Sequence, residues 1–386
     1  MKLGEVCDNI SVTFDKTKQQ VVLVNTSDVL NGKVTNHVLV NNKGLKGQFK
    51  KTFQKDDILY SEIRPKNKRF AFIDFNANDY VASTKLMVIR ANKKVLPQYL
   101  YQVLKSEEVI NQLQALAESR SGTFPQITFS ELAQINVRIP KLDEQKEIAN
   151  FLKLFDDKIE NNKKKNHHLE QMAQAIFKSW FIDFDPFGGE KPSDWKTANL
   201  TDIAEFLNGL AMQKYRPLDN EENLPVLKIK ELRQGVFDSS SDLCSANIKR
   251  PYIIQDGDVI FSWSGSLLVD FWTGGTGGLN QHLFKVSSQK YDKWFYYSWT
   301  KYYLEEFIAI AVDKATTMGH ITRRSLEKAK ILIPNDHDYK SIGLLLAPIY
   351  RQIISNRIES RKLTEMRDML LPKLLSGEIS VNQATK

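Results

Sequence analysis

From Leu142 to Asp183 the apolar residues fall on one stripe. Ile148, Leu152, Phe155, Ile159, Asn162, Asn166, Leu169, Ala173, Ile176 and Trp180 follow one another at alternating steps of four and three. That spacing is the heptad signature of a helix packed along another helix. The stretch holds no Gly or Pro, and Asp143 stands where a helix cap is expected. At ~1.5 Å per residue, a helix of this length runs roughly 55 Å, and a single apolar stripe needs a partner. The partner is predicted in the same chain. Ile342, Leu346, Ile349, Ile353, Asn356, Ser360, Leu363, Arg367, Leu370 and Leu374 repeat the seam, with Met366 available where Arg367 departs. Both seams turn polar at their centres, at Asn162 and Asn166 in one and Asn356 and Ser360 in the other, which serves to fix register. The centres meet in an antiparallel or a parallel pairing, so the pattern leaves direction open. Pro348 predicts a kink or a late start in the second helix.

Other elements repeat as well. In residues 1–142, strands are expected at Val21–Asn25, Asp57–Ser61, Lys85–Arg90 and Ile135–Ile139, with a helix over Pro97–Ala117. In the second half, Gly257–Ser262, His282–Ser288, the helical Tyr291–Ala311 and Met318–Pro334 follow in the same order. The phrases FPQITFSELAQINVRIP and MGHITRRSLEKAKILIP each precede a long helix. The plan is domain, helix, domain, helix: residues 1–142, 143–187, 188–335 and 336–386. Each globular part is expected to be α+β. Two like units joined through like helices should be related by a pseudo-twofold axis.

Composition narrows the class. The net charge of +8 lies in the first globular segment, where residues 1–142 carry 21 Lys plus Arg against 13 Asp plus Glu, while residues 190–335 carry 18 of each. A basic domain hints at nucleic acid. No apolar run reaches the ~20 residues of a membrane span, and MKLGEVCDNISV lacks a signal-peptide core. Cys7 and Cys244, far apart and outside any CxxC, suit reduced thiols in a cytoplasmic protein. No metal-ligand spacing appears. There is no phosphate-binding loop; GGTGG at Gly274–Gly278 lacks a following Lys and reads as a turn in a strand pair. No methyltransferase tetrapeptide, nuclease carboxylate set or nucleophile–base set stands out. The chain is expected to be non-catalytic by itself.

Candidate DNA contacts are the polar and basic loops, since Arg, Asn, Gln, Ser and Thr read base edges and Lys mainly meets phosphate. In the first half these are Lys43, Lys46, Lys50 and Lys51; the basic turn with Arg64, Lys66, Lys68 and Arg69; and the loop with Arg120, Ser121, Thr123 and Gln126. In the second half they are Lys228, Lys230 and Arg233; Ser262, Trp263 and Ser264; Gln281 and His282; and Lys314, Thr316, Thr317, His320 and Arg323. The loop just before Ile127 or Ile321 is the strongest of these by position, because it recurs.

The chain resembles the specificity subunit of type I restriction–modification systems over essentially its whole length. PKLDEQKEIANFLKLFDDKI, QAIFKSWFIDFDPF, GLNQHLFKV and MLLPKLLSGEI carry the resemblance, with two unlike globular domains alternating with two like helices. The resemblance implies two target-recognition domains, each reading one half of a split asymmetric site on double-stranded DNA, and two helices forming an antiparallel coiled coil that sets the gap. Such half-sites can lie about one turn, roughly 34 Å, apart. It implies two methyltransferase subunits docked on the outward helix faces or the apolar Phe177–Phe184 end, and two restriction subunits. S-adenosylmethionine, ATP and magnesium would belong to those partners, with no cofactor on this chain. The rival readings are a stand-alone DNA methyltransferase or nuclease, disfavoured by the missing motifs, and a protein-only coiled-coil adaptor, disfavoured by the basic first domain.

Overall fold

The computed structural model describes residues 1–30, 32–43, 47–119, 125–313 and 319–385. The chain forms two compact units. The first holds Met1–Asp156 together with Glu365–Lys386, and the second holds Asp157–Thr364. Each unit therefore takes a share of both long helices.

In the first unit an antiparallel sheet runs in the order Cys7–Asn9, Leu86–Ala91, Ile58–Ser61, Phe70–Phe72. A second sheet runs Leu39–Asn41, Gln20–Val24, Tyr80–Ser83, Phe49–Lys51, with its central pair parallel. Successive strand side chains point to opposite faces. Ile58, Tyr60, Met87 and Ile89 face the helical layer of Tyr99, Leu100, Ile110 and Leu113. Leu59, Leu86 and Val88 instead meet Val22, Val24 and Ala82 of the second sheet. Burial on both faces explains why ILYS reads as a continuous apolar run.

The second unit repeats this topology. Glu205–Asn208, Leu283–Ser287, Val259–Ser262 and Leu268–Phe271 form the antiparallel sheet. Leu243–Ser245, Asn223–Leu227, Gly277–Leu279 and Ile253–Ile254 form the other, again with a parallel central pair. GGTGG thus leads into a core strand instead of closing a hairpin. Gly277 and Gly278 leave room for Phe237 and Cys244, atoms that a Cβ would meet at 2.4 and 2.5 Å.

Several sequence expectations change. The predicted single helices are each two. Pro97–Leu104 ends before Ser106 caps Glu107–Glu118, and Lys293–Tyr302 is followed by Leu304–Asp313. Ile135–Ile139 is not a strand; only Asn136 bridges, to Lys2. Its counterpart Lys330–Ile333 does pair, with Lys196–Asn199.

The long helices span Leu142–Phe181 and Asp336–Ser376. The second already begins at Asp336 and passes through Pro348, so no late start occurs. Asp143 lies in the first turn instead of at the cap, where its charge still suits the helix N-terminus. Buried Gln145 ties that end down: its Oε1 accepts from the Leu96 N–H at 2.7 Å and its Nε2 donates to the Pro140 carbonyl at 2.8 Å.

The helices pair antiparallel in both units. In the second unit Asn356 Nδ2 donates to Asn166 Oδ1 at 2.8 Å, and Asn162 Nδ2 donates to Glu359 Oε2 at 2.7 Å and Ser360 Oγ at 3.3 Å. The partner of a residue further along one helix lies earlier in the other. In the first unit Ile148 and Leu152 share a core with Leu371 and Leu374, and Asp156 accepts from Arg367 at 2.6 Å. Arg367 therefore belongs to the helix contact as an ion-pair partner, while Met366 is exposed. Towards the end of the first helix the seam moves by one residue. Phe177 and Phe181 are buried, and Ile176 and Trp180 only partly so. Phe177 and Phe181 pack on Trp299 of the unit's globular core, which draws the buried stripe to that side.

Candidate nucleic-acid interface

In each unit three segments converge at one end of the antiparallel sheet. In the first unit, the chain leaving Ile58–Ser61 pairs with the segment before Ile127. Ile63 bridges Gln126, the Ile127 N–H donates to the Glu62 carbonyl at 2.9 Å, and the Arg64 N–H donates to the Pro125 carbonyl at 3.0 Å. The Thr84–Lys85 turn closes the junction: the Glu62 N–H donates to the Lys85 carbonyl at 3.0 Å, and Lys85 Nζ donates to Gln126 Oε1 at 3.1 Å.

The second unit builds the same junction from other side chains. Ser264 bridges His320, the Ile321 N–H donates to the Trp263 carbonyl at 3.0 Å, and the Gly265 N–H donates to the Gly319 carbonyl at 2.9 Å. The third segment is Asn280–His282. Leu86 pairs with Ser61 as Leu283 pairs with Ser262, so Lys85 and His282 hold equivalent places. Trp263 stacks on Phe284 with ring centroids 5.6 Å apart and donates its indole N–H to Asn208 Oδ1 at 3.1 Å. His320 lies edge-on to it. An open cleft of about 870 Å³ begins at Asn280–His282 and is flanked by Arg216, Lys228 and Lys230.

The candidate residues divide accordingly. Gln126, Trp263, Ser264, Gln281, His282 and His320 meet at the two junctions. Ser262 is fully buried, its hydroxyl donating to the Ser264 carbonyl, so it supports the junction from below. Lys43, Lys50, Arg64, Lys66 and Arg233 are exposed. Lys51 is not a surface contact: its Nζ donates to the Thr84 and Leu86 carbonyls at 3.1 and 2.8 Å. Burial and the nearby Lys85 hold its ammonium below the ordinary range, against the pull of Glu62. Arg69 likewise turns inward to the Thr26 carbonyl at 3.0 Å, and Lys68 pairs with Glu107. Lys228 pairs with Asp242, and Lys230 with Asp238 at 3.0 Å. Arg323 is exposed on the Arg323–Lys328 helix beside Glu327. Lys46, Arg120, Ser121, Thr123, Lys314, Thr316 and Thr317 lie outside the described residues. Within the Phe177–Phe184 end, Phe177 and Phe181 are taken up by their own unit's core, where they pack on Trp299 and Phe295.

Sequence reasoning missed Lys85 and Arg216. Aligning TKL with QHL, in place of TKL with HLF, would have shown Lys85. Among the described residues no group of three or more His, Cys, Asp or Glu side chains could hold a metal, and no helix is long and apolar enough to cross a membrane.

The chain is similar to known proteins. The family model of the type I restriction modification DNA specificity domain matches residues 1–171 and 192–364. The chain is 30% identical to the type I restriction enzyme HindI specificity subunit of Haemophilus influenzae over 98% of each chain. It is 28% identical to the MjaIX specificity subunit of Methanocaldococcus jannaschii, over 89% of this chain and 82% of that one. In fold it is similar to the crystal structure of the S subunit of a type I restriction–modification system from M. genitalium, with a TM-score of 0.59 at 15% identity over 97% and 95% of the two chains.

Proposed function

The chain belongs to the type I restriction–modification DNA specificity family, and from that premise we propose that its two junctions are the surfaces with which it reads double-stranded DNA. As a specificity subunit it recognises sequence and carries no active site of its own. The first unit reads one half of a bipartite, asymmetric target through the Ile63–Lys66, Lys85 and Gln126 surface. The second reads the other half through Trp263, Gln281, His282 and His320. The observation that carries this is one backbone junction built twice with unlike side chains, Lys85 and Gln126 against His282 and His320. Two unlike readers make a non-palindromic site. The exposed lysines and Arg216 supply phosphate contacts, which position without specifying sequence.

The long helices set the interval between the half-sites. Their outward faces, which expose Leu154 and Leu344, receive two methyltransferase subunits. Those subunits bring S-adenosylmethionine and methylate the DNA. Two restriction subunits bring ATP- and magnesium-dependent translocation and cleavage. The assembly works in the cytoplasm, where the DNA is.

The test is DNA binding by the chain with and without its methyltransferase partner across a salt series. The reading expects weak, strongly salt-dependent binding alone and sequence-specific binding in the complex. Specific binding that depends on neither unit's junction would reject it.

A further inference from the structure

The Asn280–His282 turn is held far more firmly than a surface turn needs to be. The Gln281 N–H donates to the Leu210 carbonyl at 2.9 Å, and the Asn280 N–H donates to the Leu227 carbonyl at 3.2 Å. From the other side, the Gly209 N–H donates to the Leu283 carbonyl at 3.0 Å. Gly209 is required for this approach, since a Cβ there would stand 2.3 Å from the Asn280 carbonyl oxygen. The side chains are fixed in turn. Buried Ser264 Oγ lies 3.1 Å from His282 Nδ1, and Gln281 Nε2 lies 3.4 Å from His282 Nε2. With the amide donating to Nε2, the ring carries its proton on Nδ1 and donates to Ser264.

His282 thus takes one side of the Gln281 amide. The amide's carbonyl oxygen and its second N–H remain. Among the described residues the Gln281 carbonyl oxygen has no hydrogen-bond donor. The amide borders the cleft flanked by Arg216, Lys228 and Lys230. An acceptor and a donor on one planar amide, beside a cleft lined by Arg216, Lys228, Lys230 and Asp242, match one base edge. Adenine offers the N6 amino donor and the N7 acceptor side by side, whereas guanine offers two acceptors there and each pyrimidine a single polar group.

We infer that Gln281 is a specificity-determining residue that reads an adenine in the half-site of the second unit, with His282 and Ser264 as its positioning residues. The inference rests on the reading of that unit as a DNA reader. Gln281 Oε1 accepts from adenine N6 and its Nε2 donates to N7, while the exposed Arg216 meets phosphate.

The experiment uses the complex of the full chain with its methyltransferase subunit and target duplexes. Each adenine is replaced singly by 7-deazaadenine, which lacks the N7 acceptor. At one A·T pair the replacement weakens binding by the wild-type complex at least about fivefold. In the Gln281→Ala complex the same replacement has no further effect, and all other positions stay additive. Retained sensitivity to changes in the other half-site shows that the variant is folded. Additive behaviour at every A·T pair overturns the assignment. In that case the double substitution Arg216→Ala with His320→Ala separates two failures. If it weakens binding, only the assignment of Gln281 falls; if it does not, the reading of the second unit falls with it.

Discussion

Asn356 Nδ2 donates to Asn166 Oδ1 at 2.8 Å in a buried layer between apolar ones. An unpaired buried amide costs about 1–3 kcal/mol. Asn166→Leu should destabilise the helix pair by that amount, and adding Asn356→Leu should restore much of it, as followed by urea denaturation. In the first unit, Asp156 sits between Lys105 at 2.9 Å and Arg367 at 2.6 Å. Burial raises its carboxyl, but the two cations outweigh it and the net shift is downward. A lowered carboxylate contributes stability above its unfolded value of about 3.9 and loses it as pH falls through the folded one. Arg367→Ala should therefore lower stability by about 1–2 kcal/mol at neutral pH, after allowance for partial exposure. The difference from wild type should shrink below about pH 4; a constant gap from pH 7 to pH 3 would count against the ion pair. The residue scale is also where sequence reading was weakest. Lys51 and Arg69 are cationic and sit in basic runs, yet both end on backbone carbonyls. Composition cannot distinguish a lysine that faces solvent from one that closes a sheet edge.

The elements were far more legible. Heptad spacing marked both helices, and the polar centres at Asn162, Asn166, Asn356 and Ser360 meet as the pattern required. What heptad spacing could not show is that the end of the first helix also packs on its unit's globular core. Hence Phe177 and Phe181 replace Ile176 and Trp180 in the core. The break between Pro97–Leu104 and Glu107–Glu118 was hidden because Ser106, a cap, resembles any polar position within an amphipathic run. One heptad inserted into each long helix at the Asn162 and Ser360 layer preserves the seam and adds roughly 10 Å. The methylated target of such a variant should gain about 3 base pairs between its half-sites, at ~3.4 Å each. An unchanged gap would remove the helices from that role.

At the scale of the whole molecule, the chain is one topology used twice, down to the parallel pair at the centre of each second sheet. Repeating order in the sequence announced it, since a duplicated fold keeps its apolar positions even where its loops diverge. The loops are where the units part company, and loops on a fixed scaffold are where recognition residues collect. The account's central claim is that each unit reads its own half of the target. The most direct measurement is sequencing of methylated sites in a host carrying the complete system, with Gln126→Ala in one strain and His320→Ala in another. The account predicts that each substitution relaxes or changes one half-site, a different half in each strain, with the gap unaltered. A single substitution that altered both halves would contradict it.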